Sequence, residues 1–217
     1  MKLTKLSTLI PSIVVVLLCS AIPAYAEHAD HQSMSDTSSK IAQTDAALRD
    51  LWVGHAFWVR NVAVETVAGN TAAATAAENE VVANAKQIAA AIEPFYGKAA
   101  SEKLFELLVG HYGAVKQYLD ATVAGSKTKQ DAASKNAVSN AVEISKFLSG
   151  ANPNLPFDAV NGLLLAHFGH HTQQFQQLKD KQYAEEAQTW ESMKKHMYGI
   201  ADALTGALAK QFPSKFS

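Results

Sequence analysis

Beyond residue 45 the apolar residues of this chain recur at spacings of three and four, the mark of one buried face on an α-helix. Leu48, Leu51 with Trp52, Trp58 with Val59, and Val62 form a first stripe. Leu104, Leu107 with Leu108, Val115, and Tyr118 with Leu119 form another, and Val160, Leu163 with Leu164, and Phe175 a third. Between these lie stripes such as Val81, Ile88 and Ile92, or Met193, Ile200 and Leu204. The period-two alternation of a half-buried strand appears nowhere, so the pattern predicts an all-α protein.

The stripes also repeat. LWVGH at 51–55 is matched by LLVGH at 107–111, and TVAG at 66–69 by TVAG at 122–125, each displaced by 56 residues. His55, His111 and His167 share one repeat position; Ile88, Ile144 and Ile200 share a second; Asn84, Asn140 and His196 share a third. Three units over 46–212 follow, and a fixed period of this size denotes repeated supersecondary units. Gly69-Asn70, Gly125-Ser126 and LKDK at 178–181 mark a tight turn inside each unit. EPFYG at 93–97 and GANPNLP at 150–156 mark the joints between units, because proline cannot continue a helix interior. The prediction is a single domain over 46–217 of six long antiparallel helices, paired as three helical hairpins. Those hairpins form either a closed bundle or a short helical stack.

Each stripe contains one residue that is not apolar. His55 and Asn84 are equally far from the turn between them, about 22 Å along their helices at 1.5 Å per residue, so they sit at one level. The same holds for His111 with Asn140 and for His167 with His196. Hairpins packed in register therefore gather His55, Asn84, His111, Asn140, His167 and His196 into one polar layer. A polar group on a core stripe costs free energy unless it is partnered. The structural reading of the layer is a set of histidine–asparagine hydrogen bonds that hold the helices in register.

A second reading makes the layer a binding site. His167 and His171 lie four apart on one helix face, His170 stands beside them, and His196 comes across the hairpin. These four are the candidate metal ligands, and a group of imidazoles suits zinc or copper better than calcium or magnesium. Met193 and Met197 flank His196, and thioether sulfur would favour copper, although methionine at helical spacing also fills cores. A small organic ligand is the alternative occupant. No nucleophile–base pair and no pair of acid–base carboxylates stands at an interpretable spacing, so no catalytic residue is assigned. The remaining enzymatic reading is a metal-assisted reaction at His167, His171 and His196. Elsewhere, Trp52, Phe57 and Trp58 read as core aromatics and Tyr96 as packing a joint. Arg60 reads as snorkelling to solvent, Glu185, Glu186 and Glu191 as a solvated face, and His28 and His31 as solvated.

Composition adds a compartment and removes several partners. Residues 1–26 read as a secretory signal peptide: Lys2 and Lys5, an apolar run from Leu9 to Ile22, then Ala24-Tyr25-Ala26 as a cleavage site. That run is shorter than the roughly 18–20 residues a membrane span needs, so no membrane anchor remains after cleavage. Export to the periplasm or beyond is the expectation. Residues 27–45 are polar and read as a flexible tail. The only cysteine, Cys19, leaves with the signal peptide, so the mature chain has no disulfide or thiolate site. Losing Lys2 and Lys5 takes the basic count from 19 to 17 against 20 acidic residues, a net −3 that gives no reason to expect nucleic acid as a partner.

With these motifs placed, the chain resembles an uncharacterised bacterial family of exported, repeated helical-hairpin proteins. The pattern of that family runs LW-x-EH-x-x-WTR, an asparagine helix ending in KPFYG, LL-x-x-H, ANPxxP, a third histidine segment and QFPxKF. The matching stretches are LWVGHAFWVR at 51–60, AIEPFYG at 91–97, LLVGH at 107–111, ANPNLP at 151–156, LLLAH at 163–167 and QFPSKF at 211–216. The resemblance spans the whole repeat region and implies the same hairpin fold, but no activity. A glycosyltransferase label sometimes attached to such sequences has no Gly-rich phosphate loop to support it here. The family places glutamate just before the repeated histidine, where this chain has Gly54, Gly110 and Ala166, and threonine where it has Val59. Any site built from those carboxylates is altered or absent in this chain.

Overall fold

The computed structural model describes residues 27–217, with side chains from residue 36 onward. The predicted signal peptide, and the side chains of His28 and His31, lie outside the described residues. The described residues form helices α1 (Glu27–Ala68), α2 (Thr71–Ala91), α3 (Glu93–Tyr96), α4 (Lys98–Val123), α5 (Lys127–Ala151), α6 (Phe157–Lys179), α7 (Tyr183–Gln211) and α8 (Pro213–Phe216). No strand occurs among them. The six long helices stand where the repeat places them. The one-turn helices α3 and α8, built on the EPFY and PSKF segments, each carry proline in their first turn, where its missing N–H is no loss.

Residues 27–45 depart from the predicted flexible tail, because α1 runs through them without a break. Ile41 packs against the core, and Lys40 hydrogen-bonds the Ser217 carbonyl. The polar composition concealed this extension, whose described side chains include the docked Ile41 and Lys40.

The turns inside the three units are one structure made three times. Asn70 N–H donates to the Glu65 carbonyl at 2.9 Å, Ser126 N–H to Ala121 at 2.9 Å, and Gln182 N–H to Gln177 at 2.8 Å. The residue before each of these donors, Gly69, Gly125 or Lys181, sits in the left-handed region at φ 76°, 65° and 59°. This is the Schellman closure, which satisfies the last free carbonyls of a helix. Glycine adopts that backbone freely, whereas a side chain there costs roughly 1–2 kcal/mol. Lys181→Gly is therefore expected to stabilise the protein by about 1 kcal/mol in urea denaturation. The same substitution made away from a positive-φ site would destabilise, so an unchanged or lowered midpoint would contradict the strain at Lys181.

The hairpins close into a ring. α2 packs against α1 and α4, α5 against α4 and α6, and α7 against α6 and α1. The first and last units thus touch, which selects the closed bundle over the open stack. The first helices of the units, α1, α4 and α6, also meet one another and form the centre of the bundle. Apolar residues fill it on both sides of the polar layer. Toward the turns lie Val59, Val62, Val81, Leu119 and Phe175; toward the joints lie Leu48, Trp52, Ile88, Leu104 and Ile144. Tyr96 closes the joint end by receiving Asn152 Nδ2 at 2.9 Å and donating to Gln211 Oε1 at 2.7 Å. Gln211 Nε2 then donates to the Ala151 carbonyl at 2.9 Å.

Candidate metal centre

The outer helices hold the polar layer in place through the backbone. Asn84 Nδ2 donates to the Leu51 carbonyl at 3.0 Å, Asn140 Nδ2 to Leu107 at 3.1 Å, and His196 Nε2 to Leu163 at 2.9 Å. All three bonds occupy one repeat position, and each acceptor lies one helical turn before the repeated histidine. The amides also explain Gly54 and Gly110. A Cβ built on either glycine would lie 3.3 Å from the Asn84 or Asn140 amide nitrogen, closer than side chains ordinarily approach. Replacing a mid-helix glycine by alanine usually gains about 1 kcal/mol. Gly54→Ala is expected to recover little of that gain, and to recover it fully in an Asn84→Ala background. A double-mutant cycle by chemical denaturation checks this, and additive effects would exclude the contact.

In unit two the predicted histidine–asparagine pair forms: His111 Nδ1 lies 3.2 Å from Asn140 Oδ1. An amide oxygen can only accept, so His111 Nδ1 donates and Nε2 carries the lone pair. Unit one lacks this bond, and His55 Nδ1 and Asn84 Oδ1 are both buried without a partner. In unit three His196 is spent on the Leu163 carbonyl and stacks on His167 at 6.4 Å between ring centres. His170 is half-buried beside His196, with ring centres 5.4 Å apart.

His167 stands at the middle of this arrangement. Its ring centre lies 4.4 Å from that of His171, 5.5 Å from His55 and 5.8 Å from His111. His55, His167 and His171 each offer a ring nitrogen within 4.8 Å of the others, and their exposures are 4%, 1% and 0%. Both ring nitrogens of His167 and of His171 are buried without a hydrogen-bond partner. Such orphans are rare in folded proteins, and each costs about 1–3 kcal/mol. Three imidazoles around one ion place their nitrogens about 3.4 Å apart at a metal–nitrogen distance near 2.0 Å. The remaining contraction, at most about 1.4 Å, is within reach of rotation about the broad terminal torsion of histidine.

Burial keeps these rings neutral. It lowers His55 to about 3, reinforced by His111, and His111 to about 4, against the opposing bond to Asn140. His167 and His171 fall well below the ordinary histidine value, first from burial and then from the surrounding imidazoles. Their lone pairs are thus available throughout the physiological range, rather than only above about pH 6.5 as free histidine would require.

Of the four sequence candidates, the structure brings His167 and His171 together and leaves His170 and His196 to one side. The residue that joins them is His55, which the sequence placed only in the register layer. Its shared repeat position with His167 was the available signal, since a closed ring turns equivalent central positions toward one axis. Met193 and Met197 are wholly buried and pack with Leu48, Trp52 and Ala56 as core. Trp52 is buried as predicted, whereas Phe57 is exposed.

Beyond the histidines, Glu186 is 2% exposed and so is no part of a solvated face. Arg60 does not snorkel to water but reaches it, Nε to Oε1 at 2.7 Å and Nη2 to Oε2 at 2.6 Å. Gln174 Nε2 donates to the same carboxylate at 2.9 Å. No motif announced this network, because a glutamate in the first turn of a helix is also the ordinary pattern of an exposed N-terminus. Among the described residues no helix is long and apolar enough to cross a membrane. No protein-family model matches the chain, and comparison with curated proteins and with solved structures gives no match.

Proposed function

We propose that this protein binds one transition-metal ion per chain at His55, His167 and His171, as an exported, non-enzymatic helical bundle. The observation that carries the reading is the convergence of three buried imidazoles, with His55 Nδ1 and both ring nitrogens of His167 and His171 buried and unpartnered. A register layer needs no such group, since Asn84, Asn140 and His196 already tie their hairpins through backbone carbonyls. Soft or borderline ions preferring nitrogen ligands, zinc or copper, suit the donor set. Both functions coexist in one layer: the outer residues hold register and the central ones hold the ion.

The test is calorimetric titration of the untagged, metal-stripped protein with zinc and copper. His171→Leu should abolish stoichiometric binding while keeping the helical circular dichroism, because leucine also removes two orphaned nitrogens. His196→Gln should retain it. Binding lost with His196 and kept without His171 would move the site to the solvent side of unit three.

A further inference from the structure

We infer that the centre selects a monovalent ion, copper(I), over zinc(II) or copper(II); this rests on the metal-binding reading above. The reason is charge. The ionisable side chains in ring contact around the centre are His55 from α1, His111 from α4, His167, His170 and His171 from α6, and His196 from α7. Every one of them is an imidazole, neutral when it acts as a ligand. Among the described residues no carboxylate belongs to the ligand group. The buried carboxylate nearest along the helices, Glu186, already receives both arms of Arg60 and the Gln174 amide, so it has no charge left to lend.

The cost of charging an ion in a poorly polar interior grows as the square of its charge, so a divalent ion costs about four times as much as a monovalent one. Catalytic zinc on three histidines offsets that cost with a fourth position open to water or hydroxide. His55, His167 and His171 are enclosed by apolar layers on both sides. Copper(I) carries a single charge and is satisfied by two or three nitrogen donors, with no bound anion. Each ligating ring also has a second nitrogen whose N–H needs an acceptor. Asn161, Gln174 and Gln177 on α6 each carry a buried, unpartnered side-chain oxygen, and Gln174 Oε1 stands one turn after His171.

The experiment is an anaerobic competition on the full untagged protein. Copper(I) is supplied as its bicinchoninate complex, and zinc(II) is titrated separately in buffer free of coordinating anions. One copper(I) per chain is expected, held at least about a thousandfold more tightly than zinc. Added azide should strengthen zinc binding by about tenfold or more and leave copper(I) unaffected, because only the divalent ion needs the anion. X-ray absorption of the copper-loaded wild-type protein should show a three-coordinate copper(I) edge with nitrogen donors alone, a readout that requires no variant to fold. Zinc binding as tightly as copper(I), with no response to azide, would overturn the charge selectivity while leaving the metal site standing. An oxygen or chloride donor in the copper shell would also overturn it. If neither ion binds, the metal-binding reading itself falls.

Discussion

Acidification of the metal-free protein from pH 6.5 to pH 4.5 should remove about 5 kcal/mol of its stability through His55 and His111 alone. Both rings are held neutral in the fold, at about 3 and about 4, and both take a proton once the chain unfolds and their pKa returns to about 6.5. The folded state therefore binds fewer protons than the unfolded state between these values. Stability is complete above pH 6.5 and is lost as the pH falls, by about 1.4 kcal/mol per unit for each such ring. His167 and His171 are displaced in the same direction and steepen the loss. A domain of ordinary stability, about 5–15 kcal/mol, should lose much or all of it before its carboxylates titrate. Urea denaturation at successive pH values measures the effect, and His171→Leu should give a shallower slope. A stability that stays level down to pH 4.5 would mean that the rings are not held neutral by the core.

Removal of the Arg60 side chain should cost about 3–5 kcal/mol, because it strands the Glu186 carboxylate in the core with only the Gln174 amide for a partner. The guanidinium also lies 5.7 Å from the Trp190 ring centre, so some packing is lost with the charge. The energetic weight lies in the unpaired charge rather than in the bond itself. Replacing both partners, as Arg60→Leu with Glu186→Leu, should restore most of the loss, since a buried pair and a well-packed apolar pair are often close in stability. Chemical denaturation of the single and double variants distinguishes the two cases. A loss below about 1 kcal/mol for Arg60→Ala would place the pair with surface ion pairs.

Much of this architecture is local and therefore legible along the chain. Helix periodicity, the glycine at two of the three turns and the prolines at the joints act within a few residues of themselves. Spacing from each turn also determined height along the helices, so the level shared by His55, His111 and His167 could be read before any packing was known. Height is not direction. Which nitrogens face one another depends on how α1, α4 and α6 are rotated about their own axes, and contacts between units far apart in sequence set that rotation. The ring closure that brings α7 against α1 drew His55 to His167 and His171, while the Leu163 carbonyl took His196 away from them. The burial of Glu186 by Arg60 was decided in the same way, across 126 residues of sequence. The sequence by itself determined the helices, the hairpins and the polar level. Only the tertiary structure decided which polar groups were left without partners, because that is settled by desolvation and partner choice across the bundle rather than by the order of residues along one helix.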